Sequence, residues 1–232
     1  MSNKEIILRG LPLIKFQNEE RIKSFQSGIV YMKSLEYYRK EEERSGDCTV
    51  GDLYEGMIHT NEATIIIPEL GINETMYDAF LNTSFSNSFV FCMLSPDLQT
   101  DKFEFTDEQK EKLLSFGDTA LVITNREEFL KRVYFALEEH KIKGYFGKVT
   151  YYDETKDNFD VWQSLQTNGM SNIAFYKRMR YSYQQEFRLL IEPPETKDDY
   201  YKLNIGSIED ISVIIPSKDA LKIIINPCKS QN

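Results

Sequence analysis

The chain has 232 residues, 41% hydrophobic and 28% charged, enough for one sizeable core and consistent with a single domain over 1–232. Its formal net charge of −9 repels phosphate backbones at long range and so argues against a general nucleic-acid binder. The three cysteines, Cys48, Cys92 and Cys228, follow no zinc spacing, and His59 and His140 stand in unrelated contexts, so no metal site, disulfide framework or His-based triad is expected and a reducing cytoplasm is.

Met1 to Glu5 is polar and the apolar run Ile6-Ile7-Leu8 stops at Arg9, which reads as a short first strand over Glu5–Leu8 and not as a signal peptide. No run approaches the roughly 20 apolar residues that span a bilayer, so no membrane partner is expected. Asn18 is a helix N-cap, Glu19 and Glu20 fill an acidic first turn, Ile22 and Phe25 form the apolar stripe, and Gly28 is the stop. Ile29–Met32 reads as a strand, and Ser34 caps a short helix carrying Leu35, Tyr37 and Tyr38. Lys40–Glu55, charged and punctuated by glycine, predicts a surface loop. Ala63–Pro68 predicts a strand, Glu74–Phe80 a short helix, and Ser88–Leu94 an apolar strand.

Thr106 with Gln109, and Asn125 with Glu128, are capping boxes. The second opens a helix over Arg126–His140, with Phe129, Val133 and Leu137 on one face. Strands are expected at Thr119–Thr124, Tyr145–Tyr152, Glu186–Ile191, Tyr200–Leu203, Ile211–Ile215 and Lys222–Ile225, with partial helix in Asp153–Asn168. Irregular order without βα alternation indicates an α+β fold: a mostly antiparallel β-sheet, able to split, with three or four helices.

One strand could carry chemistry. Alternation puts Glu186, Arg188 and Leu190 on one face and Phe187, Leu189 and Ile191 on the core face; Gln184 joins the first set if the strand extends back. The first face is either a cleft wall holding an acid and a strong anion binder or, on chemistry alone the favoured reading, a solvent-facing pair worth under about 1 kcal/mol. Upstream, Tyr176-Lys177-Arg178-Met179-Arg180-Tyr181 interleaves cations with tyrosines. It could hold phosphate with a ring stacked on a base, or could equally be a solvated loop. Arg9-Gly10 after the first strand could grip a pyrophosphate, and Tyr37 or Tyr38 could stack on a ring or simply pack. Arg44, Asp47, Asp52 and Glu55 read mainly as a solvated loop, whose carboxylates could otherwise orient a cleft arginine.

Gly28 to Tyr38, Phe91-Cys92-Met93-Leu94-Ser95 and Tyr183-Gln184-Gln185-Glu186-Phe187-Arg188 together resemble a widespread, largely uncharacterised bacterial domain family that ends in a Tyr-x-x-Glu-x-Glu-x-Arg strand. That arrangement is in turn similar to ADP-ribosyltransferases, which carry Arg or His on a first strand, Ser or Tyr on a middle strand and Gln/Glu-x-Glu on a late one. The resemblance implies that Arg9 matches the first position, Ser84 or Ser86 (or Tyr37) the second, and Gln184-x-Glu186 the third. It implies NAD as substrate. Glu186 would stabilise the oxocarbenium-like transition state, Gln184 would select the acceptor, and Arg9, Gly10, Tyr37, Tyr38, Ser84, Ser86 and Arg188 would bind the dinucleotide. It further implies an effector of the toxin or phage-defence kind acting on a protein or nucleic-acid acceptor. The alternative is a non-catalytic nucleotide- or protein-binding module of a defence or counter-defence system.

Overall fold

The computed structural model describes residues 10–46, 51–82, 88–97, 102–156, 158–192 and 198–225. The expected strand Glu5–Leu8, Arg9, Asp47, Ser84 and Ser86 lie outside the described residues. Two helices open the helical part: α1 (Glu19–Gln26), whose Asn18 cap accepts from the Arg21 amide, and α2 (Leu35–Ser45), whose Ser34 cap accepts from the Tyr37 amide. The others are α3 (Asp107–Leu114), α4 (Arg126–His140), α5 (Phe159–Asn168) and α6 (Ser217–Ala220). Within the described residues no helix is long and apolar enough to cross a membrane.

The main sheet is antiparallel and forked. β5 (Phe89–Leu94) is its stem: one edge pairs along its whole length with β11 (Glu186–Ile191), which pairs in turn with β8 (Gly144–Lys148). The other edge divides. Phe89 and Val90 pair with Ser34 and Lys33 of β2 (Ile29–Ser34), while Leu94 pairs with Ile14 of β1 (Leu13–Gln17). β2 carries β12 (Tyr200–Asn204) on its outer side; β1 carries β7 (Thr119–Ile123), then β13 (Ser212–Pro216). Between the tines the Lys15 ammonium donates to the Cys92 carbonyl at 2.8 Å. The split anticipated for the sheet is therefore a fork closed by one lysine.

Apolar side chains fill both sides of the fork. Phe187, Leu189 and Ile191 of β11 join Phe25 of α1 and Phe129, Val133 and Leu137 of α4 in the largest cluster. Ile14, Phe16, Leu94, Leu113 and Val122 make a second. Gly28 ends α1 at φ +105°, where a β-carbon would sit 2.2 Å from the Gly206 carbonyl oxygen, so glycine is required there.

Five expectations change. The described residues form six α-helices where three or four were expected. α2 runs to Ser45, into the stretch read as loop, because Ser34 caps it firmly and Gly46 terminates it in the left-handed region. The helix expected over Glu74–Phe80 is instead strand β4 (Ile72–Leu81), paired with β3 (Ile58–Ile67), since cross-strand pairing overrides the weak local preference. Tyr145–Tyr152 is two strands: at Val149 the chain leaves the main sheet and β9 (Thr150–Tyr152) pairs in parallel with β10 (Tyr176–Arg178). Only half of the second capping box forms. Asn125 caps the Glu128 amide, but the Glu128 carboxylate takes Arg132 Nε at 2.9 Å instead. One strand, β6 (Phe103–Glu104), pairs with β14 (Ile224–Ile225) at the end of the chain.

Candidate functional site

The first face of β11 does not face solvent. Arg188 is 1% exposed and Glu186 7% exposed, because β10, α2 and residues 170–175 cover that face. The reading of a weak surface pair is thereby overturned. The covering layer arises from the break at Val149: β9 swings off the main sheet, β10 docks on it, and Lys177 arrives over Glu186.

Four charges close into a ring of alternating sign. Lys177 Nζ donates to Glu186 Oε1 at 2.7 Å, and Arg188 Nε donates to Glu186 Oε2 at 2.8 Å. On the far side Glu55 faces both cations, with Oε1 2.7 Å from Arg188 Nη1 and Oε2 3.4 Å from Lys177 Nζ. All four are buried. Two acids balance two bases, so the ring carries no net charge into the interior. The two cations hold the Glu186 carboxyl far below the usual carboxylate range against the opposing effect of burial. Lys177 and Arg188 are correspondingly raised, burial opposing and the carboxylates outweighing it. Arg188 Nη1 also donates to the Ala174 carbonyl. Glu55 Oε1 meets Arg188 as a charge contact; among the described residues no donor reaches it with hydrogen-bond geometry.

Gln184 is not in the strand. Gln185 takes the left-handed region at φ +42° and breaks the extension, yet the Gln184 amide oxygen still accepts from Lys177 Nζ at 2.8 Å. The next residue of β10 turns the opposite way: Arg178 Nη2 donates to Asp52 at 2.6 Å and its guanidinium lies 4.7 Å from the Tyr54 ring. Lys177 and Arg178 are each 5% exposed, so this part of the aromatic and basic run is interior structure and not a solvated loop. The loop carboxylates Asp52 and Glu55 both orient buried cations.

Glu186, Arg188, Gln184, Lys177, Glu55 and Tyr38 line a cavity of about 370 Å³ whose lining also includes the apolar Phe16, Leu113 and Phe116. Burial pushes the Tyr38 hydroxyl well above its ordinary range and the Cys92 thiol, on the same wall, up to about 12. Lys15 lines it too, its pKa lowered by burial. A second, larger cavity of about 680 Å³ also includes Glu186, together with Tyr151, Tyr183 and Gln185. The Glu186 amide donates to the Tyr151 hydroxyl at 2.9 Å. Thus Glu186 borders both spaces.

Of the residues singled out in the sequence, Glu186, Gln184, Arg188 and Tyr38 meet at one cavity. Tyr37 lies edge-on to Tyr38 with Lys33 4.2 Å above its ring, and Gly10 is exposed; neither lines this cavity. Lys177 and Glu55 fall in two segments the sequence marks, the aromatic and basic run and the charged loop, whereas Lys15 falls in neither. Lys15 sits between buried Ile14 and Phe16 in β1, and a lysine flanked by apolar neighbours is its one local signal. Among the described residues, no group of three or more His, Cys, Asp or Glu side chains is placed to hold a metal ion. No protein-family model, no curated protein and no solved structure matches this chain.

Proposed function

We propose that the protein is an ADP-ribosyltransferase-like enzyme that takes NAD as substrate in the 370 Å³ cavity, with Glu186 as the catalytic carboxylate. The observation that carries this reading is the buried Glu186, ion-paired with Lys177 and Arg188, lining a cavity with Gln184. A carboxylate has about four acceptor positions. Lys177 and Arg188 take one on each oxygen, which leaves room for ribose hydroxyls while the pairing keeps the group anionic. In the reaction the bond between the anomeric carbon and nicotinamide breaks and nicotinamide leaves with the electron pair. Positive charge grows at that carbon next to Glu186. The acceptor then forms the new bond and loses its proton. Lys15 supplies a cation for the diphosphate, and Tyr38 a ring for the base or nicotinamide. The enzyme acts in the cytoplasm as an effector of toxin or phage-defence type on a protein or nucleic-acid acceptor.

A second reading, a non-catalytic nucleotide-binding module, is favoured by one feature: both Glu186 oxygens are already ion-paired, which offsets the charge that catalysis would use. Incubation with adenylate-labelled NAD and cell lysate separates the two. The transferase releases nicotinamide and labels an acceptor, and Glu186→Gln lowers the rate by about 100-fold or more. Thermal stabilisation by NAD without release supports the binding module. Neither turnover nor stabilisation would reject both.

A further inference from the structure

Among the described residues, strands β3 and β4 pair only with each other, as a hairpin arm. Its root is anchored: Ile58 is fully buried against Tyr152, Leu165 and Ile173, the His59 amide donates to the Tyr152 hydroxyl at 2.9 Å, and the Asn61 amide donates to the Glu154 carbonyl at 3.2 Å. Beyond Asn61 the arm is in water. Ile66 is 64% exposed, Leu70 at the tip 70% and Tyr77 73%, while Phe80, opposite His59 at the root, is 59% exposed. A two-stranded hairpin standing alone is marginal in water, and exposed apolar side chains on open strand edges invite association. Such edges are commonly protected by lysine, yet residues 58–81 contain no lysine or arginine, and carry Glu62, Glu69, Glu74 and Asp78.

We infer that this arm is a docking element for another protein, one presenting an apolar groove rimmed by lysine and arginine. The apolar side chains supply anchors for the groove, and Glu62, Glu69 and Glu74 match a basic rim, Asp78 meeting His59 Nε2 at 3.3 Å. A second copy of the chain is a poor occupant, because two arms would bring like charges together along their edges. Nucleic acid is opposed for the same reason. The arm shares no residue with the candidate site, so the inference stands apart from the proposed transferase activity.

The test uses the full chain with a photo-crosslinking residue at Leu70 or Tyr77, and a control at exposed Phe135 of α4, in the cells that produce it. The protein cross-linked from the arm is then purified and its affinity for wild type measured. The expected result is binding that weakens with salt, falls at least 10-fold in the double variant Leu70→Ser and Tyr77→Ser, and falls similarly in Glu62→Lys with Glu74→Lys. Both variants replace exposed residues, and unchanged circular dichroism melting shows the body intact. Arm-to-arm cross-links between two copies, cross-links to nucleic acid, no arm-specific protein, or binding indifferent to both variants would each overturn the inference.

Discussion

Lys177 gives up water for two carboxylates and an amide oxygen, and Glu186 for two cations, which makes the ring strongly interdependent. Removing one member strands its neighbours as buried uncompensated charges. Lys177→Met should therefore cost about 3–5 kcal/mol, read from urea unfolding. Adding Glu55→Gln, which restores charge balance, should recover part of that loss; a purely additive double variant would mean that the ring is not coupled. A different kind of constraint acts at Gly28. Its left-handed backbone and the 2.2 Å approach of the Gly206 carbonyl to a β-carbon predict that Gly28→Ala costs on the order of 1–3 kcal/mol, measured by thermal unfolding. A substitution with no effect there would show that the turn relaxes freely.

Elements, in turn, are set by their ends and their partners. α3 has a complete capping box, in which Thr106 accepts from the Gln109 amide and the Gln109 carbonyl oxygen accepts from the Thr106 amide. Gln109 also donates to the Tyr183 carbonyl at 3.1 Å, tying α3 to the turn that precedes β11. Thr106→Ala should cost about 1 kcal/mol in chemical denaturation. Gln109→Ala, which breaks the box and this tie together, should cost more; equal costs would show that the tie contributes nothing. The forked sheet and the hairpin arm contrast in the same terms. Amides of β5 and β11 lie in a buried ladder, whereas those beyond Asn61 in β3 and β4 pair only across an exposed hairpin. Hydrogen exchange should be orders of magnitude faster in the distal arm than in the stem, and equal protection would contradict its independence.

For the whole molecule the ring also sets the response to acid. The folded-state pKa of Glu186 lies far below its ordinary value of about 4.3. Its stabilisation is thus fully present above that value and is lost as pH falls below about 4, toward the folded-state pKa. The melting midpoint should decline on acidification, most steeply below pH 4, and Glu186→Gln should flatten that slope. A slope the variant leaves unchanged would place the acid sensitivity elsewhere.

Local chemistry was enough to mark much of this fold. Asn18, Ser34, Thr106 and Asn125 act within one turn of themselves, and the apolar spacing of Phe129, Val133 and Leu137 requires only a helix beneath it. The same is true of the alternation that sends Phe187, Leu189 and Ile191 to the core and makes Glu186 and Arg188 neighbours. What lies opposite that pair was not local. Glu55 and Lys177 come from separate stretches of chain, and Lys177 reaches Glu186 only because the chain leaves the main sheet at Val149 and β10 docks on the departing strand. Spacing along a chain reports which residues share a face; whether that face meets water or buried countercharge depends on contacts between distant segments, and only the tertiary structure decided it.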